Sequence, residues 1–163
     1  MPTVATVLSA TLCLLSATAA FAADNPLLGT WKLKSYVREV TATGERYNER
    51  GEHPNGYLSY ASDGRMYAII TWDNRAKPHD VVPTSDERIK LYSTMISYAG
   101  TYTADAEKVI HHVDISWNQI WTGTDQVRFY KLDGNSLTIT SAPNRNPTDG
   151  REGHSILVWE KVR

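Results

Sequence analysis

Short segments in which polar and apolar residues alternate, separated by turn residues, dominate the chain from residue 27 onwards. In the first, residues 27–37, large apolar side chains occupy most of the odd positions and polar ones most of the even positions. A period of two is typical of a strand with one buried face. Asp63-Gly64 and Asp133-Gly134 supply the positive φ angles of tight hairpins between later segments. The pattern predicts an all-β fold of about eight antiparallel strands, a barrel or a sandwich.

One stretch departs from the strand pattern. Thr84 and Glu87, three residues apart, have the signature of a capping box. Apolar residues then recur at helical spacing from Ile89 to Ala99, and Gly100 follows. The sequence therefore predicts one helix, whose apolar face lies across or beside one mouth of the strand structure.

Residues 1–22 differ in composition from the rest of the chain. They contain no charged side chain, an apolar run at residues 12–15, and small residues that end in Ala20-Phe21-Ala22. This is the pattern of a secretory signal peptide with an A-x-A cleavage site. The alternative is a retained membrane anchor, but the apolar run is short for a bilayer span. We expect residues 23–163 to form one exported domain, periplasmic or secreted, without stable membrane insertion after cleavage.

Composition narrows the classes of function. The chain has 163 residues, of which 41% are hydrophobic, enough for one domain with one core. Lys and Arg total 17 against 18 for Asp and Glu, without blocks of like charge, so nothing favours a nucleic-acid partner. The single cysteine, Cys13, lies in the predicted signal peptide, which leaves the mature domain without a thiol. The oligomeric state stays open.

Several motifs carry a family resemblance. Gly29-Thr30-Trp31 on the first strand resembles the G-x-W signature of lipocalins. Four further motifs extend the pattern: GYLSYASDGRMYAII in the hairpin, YAGTYTAD, HH followed by W-x-G-x-x-Q-x-R, and LVWEKV near the end. Together they resemble the bacterial and fungal lipocalin-like domain family over the whole mature chain. The resemblance implies a small up-and-down barrel with a central cavity. Related barrels hold small hydrophobic ligands, while others catalyse cyclisation, isomerisation or decarboxylation, so the fold alone does not establish function.

Residues 109–130 concentrate side chains able to bind or react. His111 and His112 are neighbours on a predicted strand, so they point to opposite faces and do not act together on one ligand. His111 shares its face with Val109 and Val113, and we expect it in the apolar interior, where desolvation lowers its pKa. Three roles stay open: a structural histidine bonded to a neighbouring strand, a ligand contact, and a general acid or base.

Gln126, Arg128 and Tyr130 share one face of the next predicted strand. If this face is inward, they form the polar anchor of a mostly apolar cavity, and the guanidinium can pair with a carboxylate or enolate. If it is outward, Arg128 is a surface charge. A third possibility is that Arg128 stacks on Trp31, as in barrels that close one end in this way.

Aromatic residues complete the candidate cavity. Trp117 and Trp121 flank a short connection, where they would suit a flat hydrophobic ligand; packing against the predicted helix is the alternative. Tyr67 in the hairpin, like Tyr57 and Tyr60, offers a phenol donor to the cavity or serves as an ordinary strand residue.

No dedicated metal site or cofactor is expected. His53, His79 and His154 lie in loops or at a strand edge, without H-x-H spacing or a nearby carboxylate pair. The chain contains no G-x-S-x-G elbow, phosphate loop or dinucleotide fingerprint.

Three functions follow from these residues. The first is an exported barrel that binds a small, mainly hydrophobic molecule, aromatic or polyketide-like, through His111, Arg128, Gln126 and tyrosines. The second is a cofactor-independent isomerase, cyclase or lyase in the same cavity, with His111 as proton shuttle and Arg128 stabilising an enolate or carboxylate. The third is a barrel filled by its own side chains, which acts through its surface in an envelope assembly.

Overall fold

The computed structural model of the protein describes residues 25–147 and 149–163, so the predicted signal peptide lies outside the described residues. Strands make up most of this structure. In chain order the elements are β1 (Gly29–Val40), β2 (Arg46–Tyr47), β3 (Asn55–Tyr60), β4 (Arg65–Thr71), α1 (Ser85–Ser93), β5 (Met95–Ala104), β6 (Lys108–Ser116), a 3-10 turn (Gln119–Trp121), β7 (Asp125–Asp133), β8 (Ser136–Ser141), β9 (Asn144–Arg145) and β10 (Glu152–Lys161).

The eight longer strands form one closed antiparallel barrel. Their order around the barrel is β1-β3-β4-β5-β6-β7-β8-β10, and β10 pairs back onto β1 from Trp31↔Lys161 to Val40↔Gly153. The two-residue strands β2 and β9 pair with β1 and β10. Closure leaves the sheet without long free edges. The predicted eight-stranded, up-and-down, all-β barrel is confirmed.

Two of the hairpin turns form at the predicted positions. Gly64 lies between β3 and β4 with φ +83°, and Gly134 lies between β7 and β8 with φ +55°. Both angles are in the left-handed region, which glycine adopts without a steric penalty. These turns therefore follow from the local sequence.

Large side chains fill the end of the barrel at which β1 begins. Trp31, Trp159, Tyr60, Leu58 and Leu137 are all almost fully buried there. Side chains of this size leave little free volume at this end. A ligand inside the barrel would therefore lie toward the other end.

A β-bulge in β1 changes which side chains face the interior. The pairing of β1 with β10 shifts between Leu33 and Ser35. After this point Tyr36 and Arg38 are buried, whereas the alternation of residues 27–37, continued to residue 38, puts these even positions on the polar face. That prediction is wrong because an extra residue in a strand reverses the alternation beyond it.

The helix is shorter than predicted. Its capping box is confirmed: the Glu87 amide donates to Thr84 Oγ1, and the Thr84 amide donates to Glu87 Oε2. The helix ends at Ser93, however, and Ile96 and Ala99 belong to β5. A few apolar residues at these positions fit the period of a helix and that of a strand equally well, which is why the predicted helix extended too far. None of the nine helical residues is buried, so the helix lies outside the barrel core. No helix within residues 25–147 and 149–163 is long and apolar enough to cross a membrane.

Candidate functional site

The side chain of Arg128 points into the barrel. On β7 it lies directly opposite Val109 of β6 and Ser141 of β8, and both of these residues are buried. Residues directly opposite each other in antiparallel strands share a face of the sheet. Arg128 nevertheless retains intermediate exposure, as does inward-facing Gln126. Solvent therefore reaches the interior along this part of β7.

Arg128 donates hydrogen bonds within its own strand and forms no ion pair with an acid among the described residues. Its guanidinium donates to the Val127 carbonyl oxygen at 2.9 Å and to Gln126 Oε1 at 3.3 Å. Among the ion pairs of the described residues, none involves Arg128. Its positive charge thus has no counter-ion inside the described part of the barrel.

A lysine, and not Arg128, lies over the first-strand tryptophan. Lys161 Nζ is 5.2 Å from the centre of the Trp31 ring. The indole Nε1 donates to the Leu27 carbonyl oxygen at 2.8 Å. The end of the barrel is closed without Arg128, which leaves that guanidinium available to the interior.

His111 is enclosed between two tyrosines. It is 1% exposed, and its Nε2 lies 2.8 Å from the Tyr60 hydroxyl while its Nδ1 lies 2.9 Å from the Tyr98 hydroxyl. A neutral imidazole has one donor and one acceptor nitrogen, so one phenol accepts and the other donates. Burial, followed by the nearby Arg128 charge and His112, holds the pKa of His111 well below its usual value. The imidazole is therefore neutral at pH 7.

The two tyrosines extend this arrangement toward Arg128. Burial raises the pKa of Tyr98, and the adjacent Arg128 guanidinium acts in the opposite direction. Burial also raises the pKa of Tyr60 well above its usual value. A continuous set of neutral polar groups, Tyr60–His111–Tyr98, therefore ends at the charged Arg128. Tyr98 was not among the predicted site residues, because its segment fitted the helical spacing as well as a strand.

A row of polar side chains crosses four consecutive strands on the same inner wall. Arg128 of β7 is opposite Ser141 of β8, the Ser155 amide of β10 donates to Ser141 Oγ at 3.0 Å, and Ser155 is opposite Arg38 of β1. The Tyr36 hydroxyl donates to Ser155 Oγ at 3.1 Å. We call Arg128, Ser141, Ser155 and Arg38 the polar belt. Arg38 and the serines were missed because their inward position depends on strand register.

Arg38 is the most deeply buried charge of the belt. It is 2% exposed, and it donates to Asn144 Oδ1 at 3.0 Å and to the Asn144 carbonyl oxygen at 2.8 Å. A third bond, at 3.3 Å, goes to the Arg151 carbonyl oxygen. Its Nε is buried without a hydrogen-bond partner among the described residues. Arg38 also forms no ion pair with a carboxylate in this part of the chain.

Trp117 and Trp121 lie at the end of the barrel opposite to Trp31. Their rings meet edge to face at 4.9 Å. Trp121 also contacts the ring of Tyr98 at 5.5 Å, while Trp117 lies 6.5 Å from Tyr92 of the helix. Trp121 therefore adjoins the interior polar groups, and Trp117 packs toward the helix.

The two candidate tyrosines, Tyr67 and Tyr130, line two separate depressions, and Arg128 lines neither of them. Tyr67 is 47% exposed on the outer face, because its neighbours Met66 and Ala68 occupy the inner face of β4. With Trp117 it lines an outer depression of about 450 Å³. Tyr130 lines a cavity of about 500 Å³ beside the filled end, and its hydroxyl donates to the Asp105 carbonyl oxygen at 2.8 Å. The structure thus does not bring these residues together with Arg128 in one cavity.

His112 lies on the outer face, opposite in direction to His111. Its Nδ1 is 2.7 Å from Asp125 Oδ1, and its Nε2 is 3.0 Å from Thr103 Oγ1. In the described ranges, no three His, Cys, Asp or Glu side chains are grouped so that they could hold a metal ion.

A family sequence model agrees with this architecture. The sequence model of the lipocalin-like domain family matches residues 28–162. The protein belongs to this family. Among solved structures, this lipocalin-like domain is similar to the lipoprotein YedD from Klebsiella pneumoniae subsp. pneumoniae, with 10% identity and a TM-score of 0.40; the match covers 87% of this chain and 76% of that chain. A search of curated proteins gave no match for the lipocalin-like chain.

Proposed function

We propose that this lipocalin-like barrel binds a small, mainly hydrophobic molecule in its interior, with Arg128 and Gln126 as polar contacts. The observation that carries the proposal is the position of Arg128: inward, reached by solvent, and without a carboxylate partner among the described residues. Small-molecule sites are typically apolar cavities with a few such polar groups. A core built only for packing rarely holds a cation without a counter-ion.

The direction of access also supports a binding role. Trp31, Trp159 and Tyr60 fill one end of the barrel, so a ligand enters from the other. Trp121 lies there beside Tyr98. An indole at the mouth and a phenol beneath it offer flat surfaces to an aromatic or polyketide-like ligand.

Native mass spectrometry of the mature protein tests binding directly. We expect a bound small molecule in the protein purified from its exported form, and denaturation releases it for identification. Gln126→Trp places a large ring inside the barrel and should reduce occupancy at least about tenfold, since it fills the space that the ligand needs. Val127→Trp, on the outer side of the same strand, is the matched control and should retain the ligand. Equal occupancy in both variants contradicts an interior site.

We also propose that the protein is exported to the periplasm or secreted after cleavage following Ala22. The support is the uncharged apolar segment with its A-x-A ending. The intact mass of the protein from the exported fraction should correspond to a chain that begins at Ala23. A mass that retains residues 1–22 contradicts cleavage and favours a membrane anchor.

The alternative function is a cofactor-independent isomerase, cyclase or lyase that uses the same interior. The Tyr60–His111–Tyr98 arrangement next to Arg128 favours it, because neutral hydrogen-bonded groups can relay a proton while a cation stabilises an enolate or carboxylate. Tyr98 lies between the imidazole and the guanidinium, so it would exchange the proton with the substrate.

The released compound supplies the substrate class for a turnover assay. If the protein is an enzyme, His111→Gln should lower turnover at least about hundredfold while the compound still binds, since general acid–base catalysis contributes about that much. His112→Gln, on the outer face, is the control. A carrier shows no turnover in any variant.

A further inference from the structure

Two opposite parts of the inner wall, the polar belt and strand β4, differ in polarity. The polar belt occupies the consecutive strands β7, β8, β10 and β1. Strand β4, across the barrel from them, presents only apolar side chains to the interior, namely Met66, Ala68 and Ile70. A molecule between these walls meets hydrogen-bond donors on one side and hydrocarbon on the other.

The belt is rich in donors and carries positive charge only. It contains two guanidinium groups, Arg128 and Arg38, with Ser141 and Ser155 between them. Neither arginine forms an ion pair in the described structure, although the charge of Arg38 acts on the more distant Asp149 carboxyl, and Arg38 Nε is buried there without a hydrogen-bond partner. Burying a cation without a counter-ion is unfavourable, so an anion that enters is stabilised by both guanidiniums.

We propose that the ligand is an organic anion, whose acidic oxygen atoms are held at the polar belt with Arg128 as the main contact. This inference rests on the proposed binding function and specifies its ligand class: a carboxylate, enolate or phenolate on an apolar body. A planar guanidinium offers parallel N–H donors that match two oxygens of such a group. The adjacent residues on the same inner face, Ile139 below Ser141 and Leu157 below Ser155, are apolar and contact the body of the ligand.

The reach of Arg128 favours it over Arg38 as the main contact. Arg38 is 2% exposed, and three bonds to the Asn144 and Arg151 region hold its guanidinium in place. Arg128 keeps intermediate exposure, and among the described residues its guanidinium donates to the Val127 carbonyl oxygen and Gln126 Oε1 of its own strand, beside the Tyr98 hydroxyl. Arg38 therefore contributes its charge at a distance, whereas Arg128 can turn to meet an incoming oxyanion.

A matched pair of fluorescent probes tests the charge requirement. 1-Anilinonaphthalene-8-sulfonate and N-phenyl-1-naphthylamine share one aromatic skeleton and differ by the sulfonate, which stands in for the acidic group of the ligand. We expect the wild-type mature protein to bind the anionic probe at least about tenfold more tightly. In Arg128→Gln the affinity for the anionic probe should fall about tenfold to a hundredfold, while that for the neutral probe changes little.

Arg65→Gln is the control variant. It removes the same charge from the outer surface, where Arg65 pairs with Asp114 and its side chain is 64% exposed. We expect this variant to bind both probes as the wild type does. If Arg128→Gln fails to fold by circular dichroism, Arg128→Lys replaces it. That variant keeps the positive charge but lacks the planar guanidinium. Its affinity for the anionic probe should fall about threefold to tenfold, while its affinity for the neutral probe should not change.

The possible results distinguish the anion preference from the binding function on which it rests. Equal affinity of the wild type for both probes overturns the anion preference and leaves hydrophobic binding in place. An anion preference that survives in Arg128→Gln also overturns the inference, because the anion is then bound elsewhere. Binding of neither probe overturns the proposed function together with this inference.

Discussion

At the scale of single residues, His111 shows how a local pattern and distant partners combine. The apolar neighbours on its face predicted an inward histidine with a lowered pKa, and the structure places it there at 1% exposure. Its two hydrogen-bond partners, Tyr60 and Tyr98, come from β3 and β5. Their two hydroxyl groups account for both ring nitrogens, so the imidazole has a complete structural role before any ligand is considered.

Replacing His111 by phenylalanine should destabilise the barrel by about 2–4 kcal/mol, because two buried tyrosine hydroxyls lose their partner. Urea unfolding measures this change. His112→Phe, at the neighbouring outward position, is the control and should cost less than about 1 kcal/mol, since its bonds are exposed. A similar cost in both variants would show that the buried arrangement contributes little.

The lowered pKa of His111 makes stability depend on pH. When the pH falls below the unfolded-state pKa of about 6.5, His111 is protonated in the unfolded chain but stays neutral in the folded protein, where it is buried. The free energy of unfolding therefore falls as pH falls, by about 1.3 kcal/mol between about pH 7 and about pH 5.5 from this residue alone. In His111→Gln that part of the loss should disappear. Urea titrations of both proteins at the two pH values test this, and equal losses would refute it.

At the scale of elements, bulges decide which residues reach the interior. In β5 and β6 the register shifts between Ala99 and Gly100. A side chain at Gly100 would overlap the His112 carbonyl oxygen and lie 2.9 Å from the Asp114 amide nitrogen. The glycine is needed here because two strands approach closely at the bulge.

Gly100→Ala should therefore cost about 3 kcal/mol or more, since backbone atoms of β6 must move to admit the methyl group. Thermal or urea unfolding gives the value. Ser97→Ala, three residues earlier on the same strand, removes a hydroxyl from the outer face and should change stability by less than about 0.5 kcal/mol. A mild effect of Gly100→Ala would mean that the strands separate here at low cost.

At the scale of the whole molecule, closure of the barrel brings the two ends of the domain together. Trp31 is paired with Lys161, and the Val162 amide donates to the Thr30 carbonyl oxygen at 2.8 Å. The connection between β4 and α1, by contrast, is exposed over most of its length. The chain can therefore be reconnected without disturbing the closing pair of strands.

A circular permutant tests this closure. We expect a chain that links residue 163 to residue 25 through a short glycine-serine linker, with new ends between residues 81 and 82, to fold and to keep its near-ultraviolet circular dichroism. New ends between Ser97 and Tyr98 should prevent folding, because they interrupt β5 within the barrel and separate Tyr98 from the first residues of its own strand. If the first permutant fails while the second folds, the closing pair is not what holds the barrel together.

The sequence by itself determined the features that depend on near neighbours. Alternation identified the strands, Asp-Gly identified two turns, and the capping box located the start of the helix. The motifs of the lipocalin-like domain family pointed to the barrel. The inward direction of His111 also followed, because the residues that share its face lie only two positions away on either side.

Only the tertiary structure decided the position of Arg38, the direction of Arg128 and the composition of the polar belt. The bulge in β1 puts Arg38 inside, and the register of β6, β7 and β8 puts Arg128 there. The physical reason is that strand register is set by pairing between residues distant in the chain, and a shift of one residue turns every later side chain to the opposite face.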